Sequence, residues 1–289
     1  MGRKPIQGIC KLCGKKTILT YEHVPPRGAF NNHSIKEIRG DQLLEHIGTD
    51  EKPWEVSHLW GKIHQQGTGG YYLCKDCNEK TGSWYVPYYL DFIYGIYSAI
   101  EKADPEREAP YIGIKAPFIR PLPILKEIMV MFCDINNNCF GDKKLRSFLL
   151  NKDSTQGFDK SKYRLFCYIV KGDILRMNGI IVKLITSKDR EPVMITLSEI
   201  SFPPLGFALY IDLPEGYKPE GCEITKLADA QYEDKAECEM LLPVLENNIM
   251  FSGDYRTKAE IEKTMQDSKE WEETHKELID RINNRSENP

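Results

Sequence analysis

No apolar run in this 289-residue chain approaches the roughly 18–20 residues needed to span a bilayer. Met1-Gly2-Arg3-Lys4 leads into none of the apolar stretch that a secretory signal requires, so a cytoplasmic chain with reduced thiols is expected. A Walker loop, a Gly-rich dinucleotide fingerprint and a Gly-x-Ser-x-Gly elbow are also missing, which argues against the enzyme classes built on them. Neither an internal repeat nor a low-complexity tract is present. Charge of one sign is scarce too: the net value of −4 argues against a globally basic nucleic-acid coat. A local basic face stays open, because binding depends on where the charge sits. Residues 1–90 carry 12 Lys/Arg against 9 Asp/Glu, a mild basic excess that alone decides nothing.

What is present suits a folded chain. Hydrophobic residues make up 41% and charged residues 28%, enough core for one large domain or two modest ones. Three regions emerge. Residues 1–85 hold four paired cysteines, five of the six histidines and three of the four tryptophans. Residues 86–256 read as an α+β body, and residues 257–289 as a polar helical tail. In the first region Thr17–Tyr21 and Tyr71–Leu73 are expected strands, with a short helix over 36–47 between them. The aromatic residues Tyr85, Tyr88, Tyr89, Phe92, Tyr94 and Tyr97 recur at helical spacing. Such a stripe can stack bases, but core packing between modules is the favoured reading.

Further along, Pro121–Met131 reads as a buried helix, while 163–170, 174–186 and 193–212 read as strands, the last broken at Pro203-Pro204. Thr257 and Glu260 form a capping box, with Ile261, Met265, Leu278 and Ile282 following at roughly helical spacing. That helix either docks on the body, the favoured reading, or pairs with a second chain as a homodimer.

The nine cysteines are an odd number, a poor fit to a closed disulfide framework. Cys10-Lys-Leu-Cys13 and Cys74-Lys-Asp-Cys77 instead supply four thiolates suited to one tetrahedral structural zinc. Gly14 suits the tight turn of a knuckle. Cys133, Cys139, Cys167, Cys222 and Cys238 show no pairing and read as buried or incidental thiols. Between the pairs lies Tyr21-Glu22-His23-Val24-Pro25-Pro26, and Asn78 directly follows the last cysteine.

With its order Cys-x-x-Cys, acidic-His, Cys-x-x-Cys-Asn, residues 10–84 resemble the HNH (ββα-metal) endonucleases. The resemblance is to the zinc-bearing type found among phage Holliday-junction-resolving enzymes. It implies a zinc-stabilised ββα-metal, treble-clef-like module, followed here by a mixed α+β domain and a C-terminal helix. It also implies hydrolysis of phosphodiester bonds, in DNA or alternatively RNA, with His23 as general base. Glu22 and Asn78 would then hold a catalytic magnesium or manganese ion distinct from the zinc.

Arg27, Lys62, Lys75 and Lys80 surround the motif as candidate phosphate contacts. Two departures stand out: Glu22 replaces the more usual Asp, and the bracing Asn of the family has three candidate substitutes in Gln66, Asn31 and Asn32. The insertion over about 31–70 is long, and His33, His46, His58 and His64 within it receive no role. A catalytically silent zinc-bearing module that binds nucleic acid or protein is the alternative reading.

Overall fold

The structure, a computed structural model, describes residues 5–103, 109–187 and 190–276. Near the N-terminus an antiparallel sheet runs in the order β1 (Ile6–Ile9), β2 (Lys16–His23), β5 (Gly69–Cys74). The expected strands at Thr17–Tyr21 and Tyr71–Leu73 fall inside β2 and β5. Between those two strands the chain makes β3 (Ile35–Glu37), α1 (Gly40–Ile47) and β4 (Lys62–His64). The helix expected over 36–47 begins only at Gly40, because Ile35–Glu37 pairs with β4 as an antiparallel ribbon.

Two helices follow, α2 (Lys75–Trp84) and α3 (Val86–Lys102), so the boundary placed after residue 85 lies at their junction. Pro87 sits in the first turn of α3, where its missing N–H would have had no partner. The aromatic stripe divides: Tyr85, Tyr89 and Phe92 are buried, while Tyr94 and Tyr97 are exposed. The Tyr85 hydroxyl donates to the Leu149 carbonyl at 2.9 Å, so most of the stripe packs as core.

β6 (Tyr111–Ile119) leads to α4 (Pro121–Ile135), in which every residue from Pro121 to Asp134 is buried. A helix apolar all round belongs inside a protein, and this one touches α2, α3, β5 and α5 (Lys143–Leu150). Its charged exceptions are Lys126, Glu127 and Asp134. The Lys126 ammonium donates to the carbonyls of Asn151, Lys152 and Ser154 at 2.7, 3.0 and 2.8 Å, closing the C-terminal end of α5.

The body's sheet runs β6, β12 (Ala236–Glu246), β7 (Tyr163–Lys171), β10 (Leu205–Ile211), β9 (Arg190–Phe202), β8 (Arg176–Ser187), with β11 (Cys222–Glu223) also on β7. All its pairings are antiparallel except that of β12 with β7. β10 is buried along its whole length, so the sheet is covered on both faces at its centre. Leu165, Cys167 and Leu209 join the cluster that contains α4, while Phe166, Ala208 and Tyr210 join a smaller one on the opposite face. Buried Arg176 pairs with buried Glu199 at 3.2 Å, and Glu199 also accepts from the hydroxyls of Tyr168 and Tyr255.

One buried apolar cluster runs from Cys10 and Leu12 through Tyr89 and Met129 to Phe207 and Leu242, joining the N-terminal sheet to the body. α6 (Lys258–Thr274) opens on the capping box, Thr257 and Glu260 satisfying each other's backbone N–H groups. Ile261 is buried, whereas Leu278 and Ile282 lie outside the described residues. Much of the helix's contact is with the N-terminal insertion: Lys52 meets Glu262 at 2.6 Å, Asp50 meets Lys269 at 2.5 Å, and Lys258 lies over the Trp54 ring. No helix among the described residues is long and apolar enough to cross a membrane.

Candidate functional site

The two cysteine pairs converge. The turn after β1 is closed by Gly14 N–H donating to the Cys10 carbonyl at 2.9 Å, and Gly14 takes φ +75°, a conformation glycine adopts freely. Cys74 ends β5 and caps α2, placing Cys77 in the first turn. The four sulfurs lie within 4.8 Å of one another, and those of Cys13 and Cys74 are 3.9 Å apart. Four thiolates around zinc at its usual 2.3 Å bond length would be about 3.8 Å apart, so this cluster can hold such an ion. The hydrogen bond with Cys77 holds the Cys10 thiol down at about 4, while that same bond, and then burial, push Cys77 far up. A cation at the centre relieves this competition by letting all four ionise.

Support for the knuckle also comes from the body. Buried Cys139 donates its thiol to the carbonyls of Lys11 and Leu12 at 3.5 and 3.6 Å. Thus one of the unpaired cysteines rests directly on the turn that carries Cys10 and Cys13.

β2 presents its last residues alternately, as a strand must. Tyr21 and His23 share one face, their rings 5.1 Å apart, with Tyr71 beside Tyr21. Thr20 and Glu22 share the other. Thr20 receives the Asn78 amide on its hydroxyl at 3.0 Å, so Asn78 and Glu22 lie on the same side of the strand. Opposite Glu22 in β5 is Gly70, and Tyr72 is the extra residue of a bulge. A Cβ on Gly70 would come within 2.4 Å of the Tyr72 ring, so glycine lets that ring lie across the strand.

Glu22 sits in a poorly solvated setting. Burial pushes its carboxyl up to about 7, and among the described residues it accepts no hydrogen bond. Glu127 and Asp134, two turns apart on one side of α4, are buried, and the charge of Glu22 bears on both. Burial drives both carboxyls well above their ordinary values. Glu127 Oε2 and Asp134 Oδ1 have no hydrogen-bond partner. These orphaned oxygens suit a hard cation or protons. The three carboxylates do not close within 4.8 Å, so an ion at Glu22 would keep several waters, as magnesium does. The sequence signal for Glu127 and Asp134 is their acidity inside an apolar helix.

His23 Nε2 meets the Gln66 carbonyl at 3.1 Å. A carbonyl only accepts, so Nε2 carries the proton and Nδ1 is left as the basic nitrogen. Asn31 is fully buried and ties the turn after β2 to the residues before β5. Its amide donates to the carbonyls of Pro25 and Thr68 at 2.7 and 2.8 Å, and its oxygen accepts from Thr68 N–H at 2.7 Å.

Of the candidate phosphate contacts, Lys75 and Lys80 are engaged along α2 with Glu79 and Asp76. Arg27 and Lys62 are exposed and enter no ion pair among the described residues. His64 meets Glu37 at 2.6 Å across the β3–β4 ribbon, and His33 contacts the Phe30 carbonyl at 2.8 Å. No protein-family model, no curated protein and no solved structure matches this chain.

Proposed function

We propose that this chain is an HNH-type endonuclease that hydrolyses phosphodiester bonds in DNA with a divalent ion. The observation that carries the reading is Glu22: a desolvated carboxylate without a hydrogen-bond donor, on the same strand face as Asn78, which directly follows Cys77 of the thiol cluster. Glu22 and Asn78 would hold magnesium or manganese. Bound there, the ion would neutralise phosphate charge and stabilise the leaving oxygen. His23, with Nε2–H fixed by Gln66, would accept the proton of the attacking water at Nδ1. Arg27 and Lys62 would hold flanking phosphates.

One observation favours a second reading, the catalytically silent zinc-bearing module that binds nucleic acid or protein: Glu22 and His23 leave opposite faces of β2. A cleavage assay separates the two. Supercoiled DNA, branched DNA and RNA of matched sequence are each incubated with magnesium, manganese or EDTA. Metal-dependent cleavage that falls at least about 100-fold in His23→Ala is the expected result. Binding without cleavage by folded, zinc-loaded wild type would overturn the nuclease, and preferential cutting of RNA would change its substrate.

A further inference from the structure

The insertion between β2 and β5 brings together three side chains that no reading of the thiol cluster or of Glu22 uses. His46 Nδ1 lies 3.3 Å from Glu51 Oε2, and His58 Nε2 lies 3.2 Å from the same oxygen. Ligand atoms of all three fall within 4.8 Å of one another. For zinc at its usual 2.0–2.1 Å from nitrogen and oxygen, tetrahedral ligand atoms are about 3.3 Å apart, matching both separations. The imidazole rings, 5.3 Å between centroids and inclined by 64°, flank the carboxylate.

The surroundings are built to orient these groups. His46 Nε2 contacts the Lys52 carbonyl at 2.9 Å, which must be an N–H donation because a carbonyl only accepts. That bond fixes the tautomer and turns Nδ1 towards the carboxylate, the outer-shell arrangement usual for metal-binding histidines. A singly protonated ring then sets its Nδ1 lone pair against a carboxylate oxygen, an arrangement that needs either a second proton or a cation between them. The His46 side chain is almost fully buried, whereas Glu51 and His58 are about half exposed, leaving a solvent-facing side for water. Thr49 steadies the turn, donating its hydroxyl to the His46 carbonyl at 2.7 Å and accepting from Glu51 N–H at 3.2 Å.

We infer that His46, Glu51 and His58 form a second metal site, which takes a borderline divalent ion such as zinc with water in the fourth position. Two imidazoles and one carboxylate are a donor set that suits zinc rather than magnesium. The ion would fasten the end of α1 to the turn on which α6 rests through Asp50 and Lys52. The inference stands whether or not the chain cuts nucleic acid.

The test is metal stoichiometry of the full chain after equilibrium dialysis against Zn2+, for wild type, His58→Ala and Glu51→Gln. Both replaced side chains are about half exposed, and circular dichroism with thermal melting checks that the variants fold. Wild type is expected to hold two ions per chain and each variant half that. Loading with Co2+ tells the sites apart: thiolate charge-transfer bands persist in both variants, while the second equivalent's weaker visible bands vanish. A wild type that saturates at one ion, or variants that still bind two, would overturn the site.

Discussion

Asn31 shows how much one side chain can hold in this protein. It ties the turn after β2 to Thr68 before β5, and Gly67 makes the approach possible, because a Cβ there would meet the Asn31 carbonyl oxygen at 2.1 Å. Asn31→Ala would leave the Thr68 N–H and the Pro25 carbonyl short of partners in a dry place, while the Thr68 carbonyl keeps only the Val24 N–H. It should destabilise the protein by about 2–3 kcal/mol in urea unfolding, and an unchanged midpoint would remove the bracing role. Sequence alone could not choose among Gln66, Asn31 and Asn32, since the choice rests on a contact between residues 37 apart. The cysteine pairs were legible because their spacing is local. His46, Glu51 and His58 were not: no common period links them, and only the folding of the insertion brings them together.

Among the elements, α4 carries the most consequence. Its apolar run was readable as a buried helix, and the charged residues inside it were equally visible. What they do depends on neighbours far along the chain. Burial lowers the Lys126 ammonium to about 7, even as it caps α5. The folded chain therefore gives up this proton at lower pH than the unfolded chain does, so the contribution of Lys126 to stability rises as pH climbs from about 7. Compared with Lys126→Met, wild type should gain up to about 1 kcal/mol per pH unit between pH 7 and 9. A constant difference across that range would show that the ammonium stays charged inside the fold. β6 and β12 escaped the sequence reading, as Pro117 and Pro243 interrupt patterns that otherwise alternate. Their mutual pairing, and β12's parallel pairing with β7, are long-range facts.

Taken whole, the molecule joins its thiol cluster to the body through continuous packing, with Leu12 and Leu73 in the same core as Phe132 and Leu209. The mixed α+β character was evident from the alternation of patterns, but this continuity was not, because a change of composition near residue 85 suggests separation. Stripping zinc with a chelator should therefore lower the midpoint of one cooperative melting transition, followed by calorimetry. Two resolved transitions, with the later one unmoved, would show that the body melts independently. The clasp between α6 and the insertion also bears on the order of assembly. During synthesis the turn at 50–54 emerges long before Glu262 and Lys269, its partners. The N-terminal region leaves the ribosome with that turn unclasped, and it gains those partners only when nearly all of the described chain has been made.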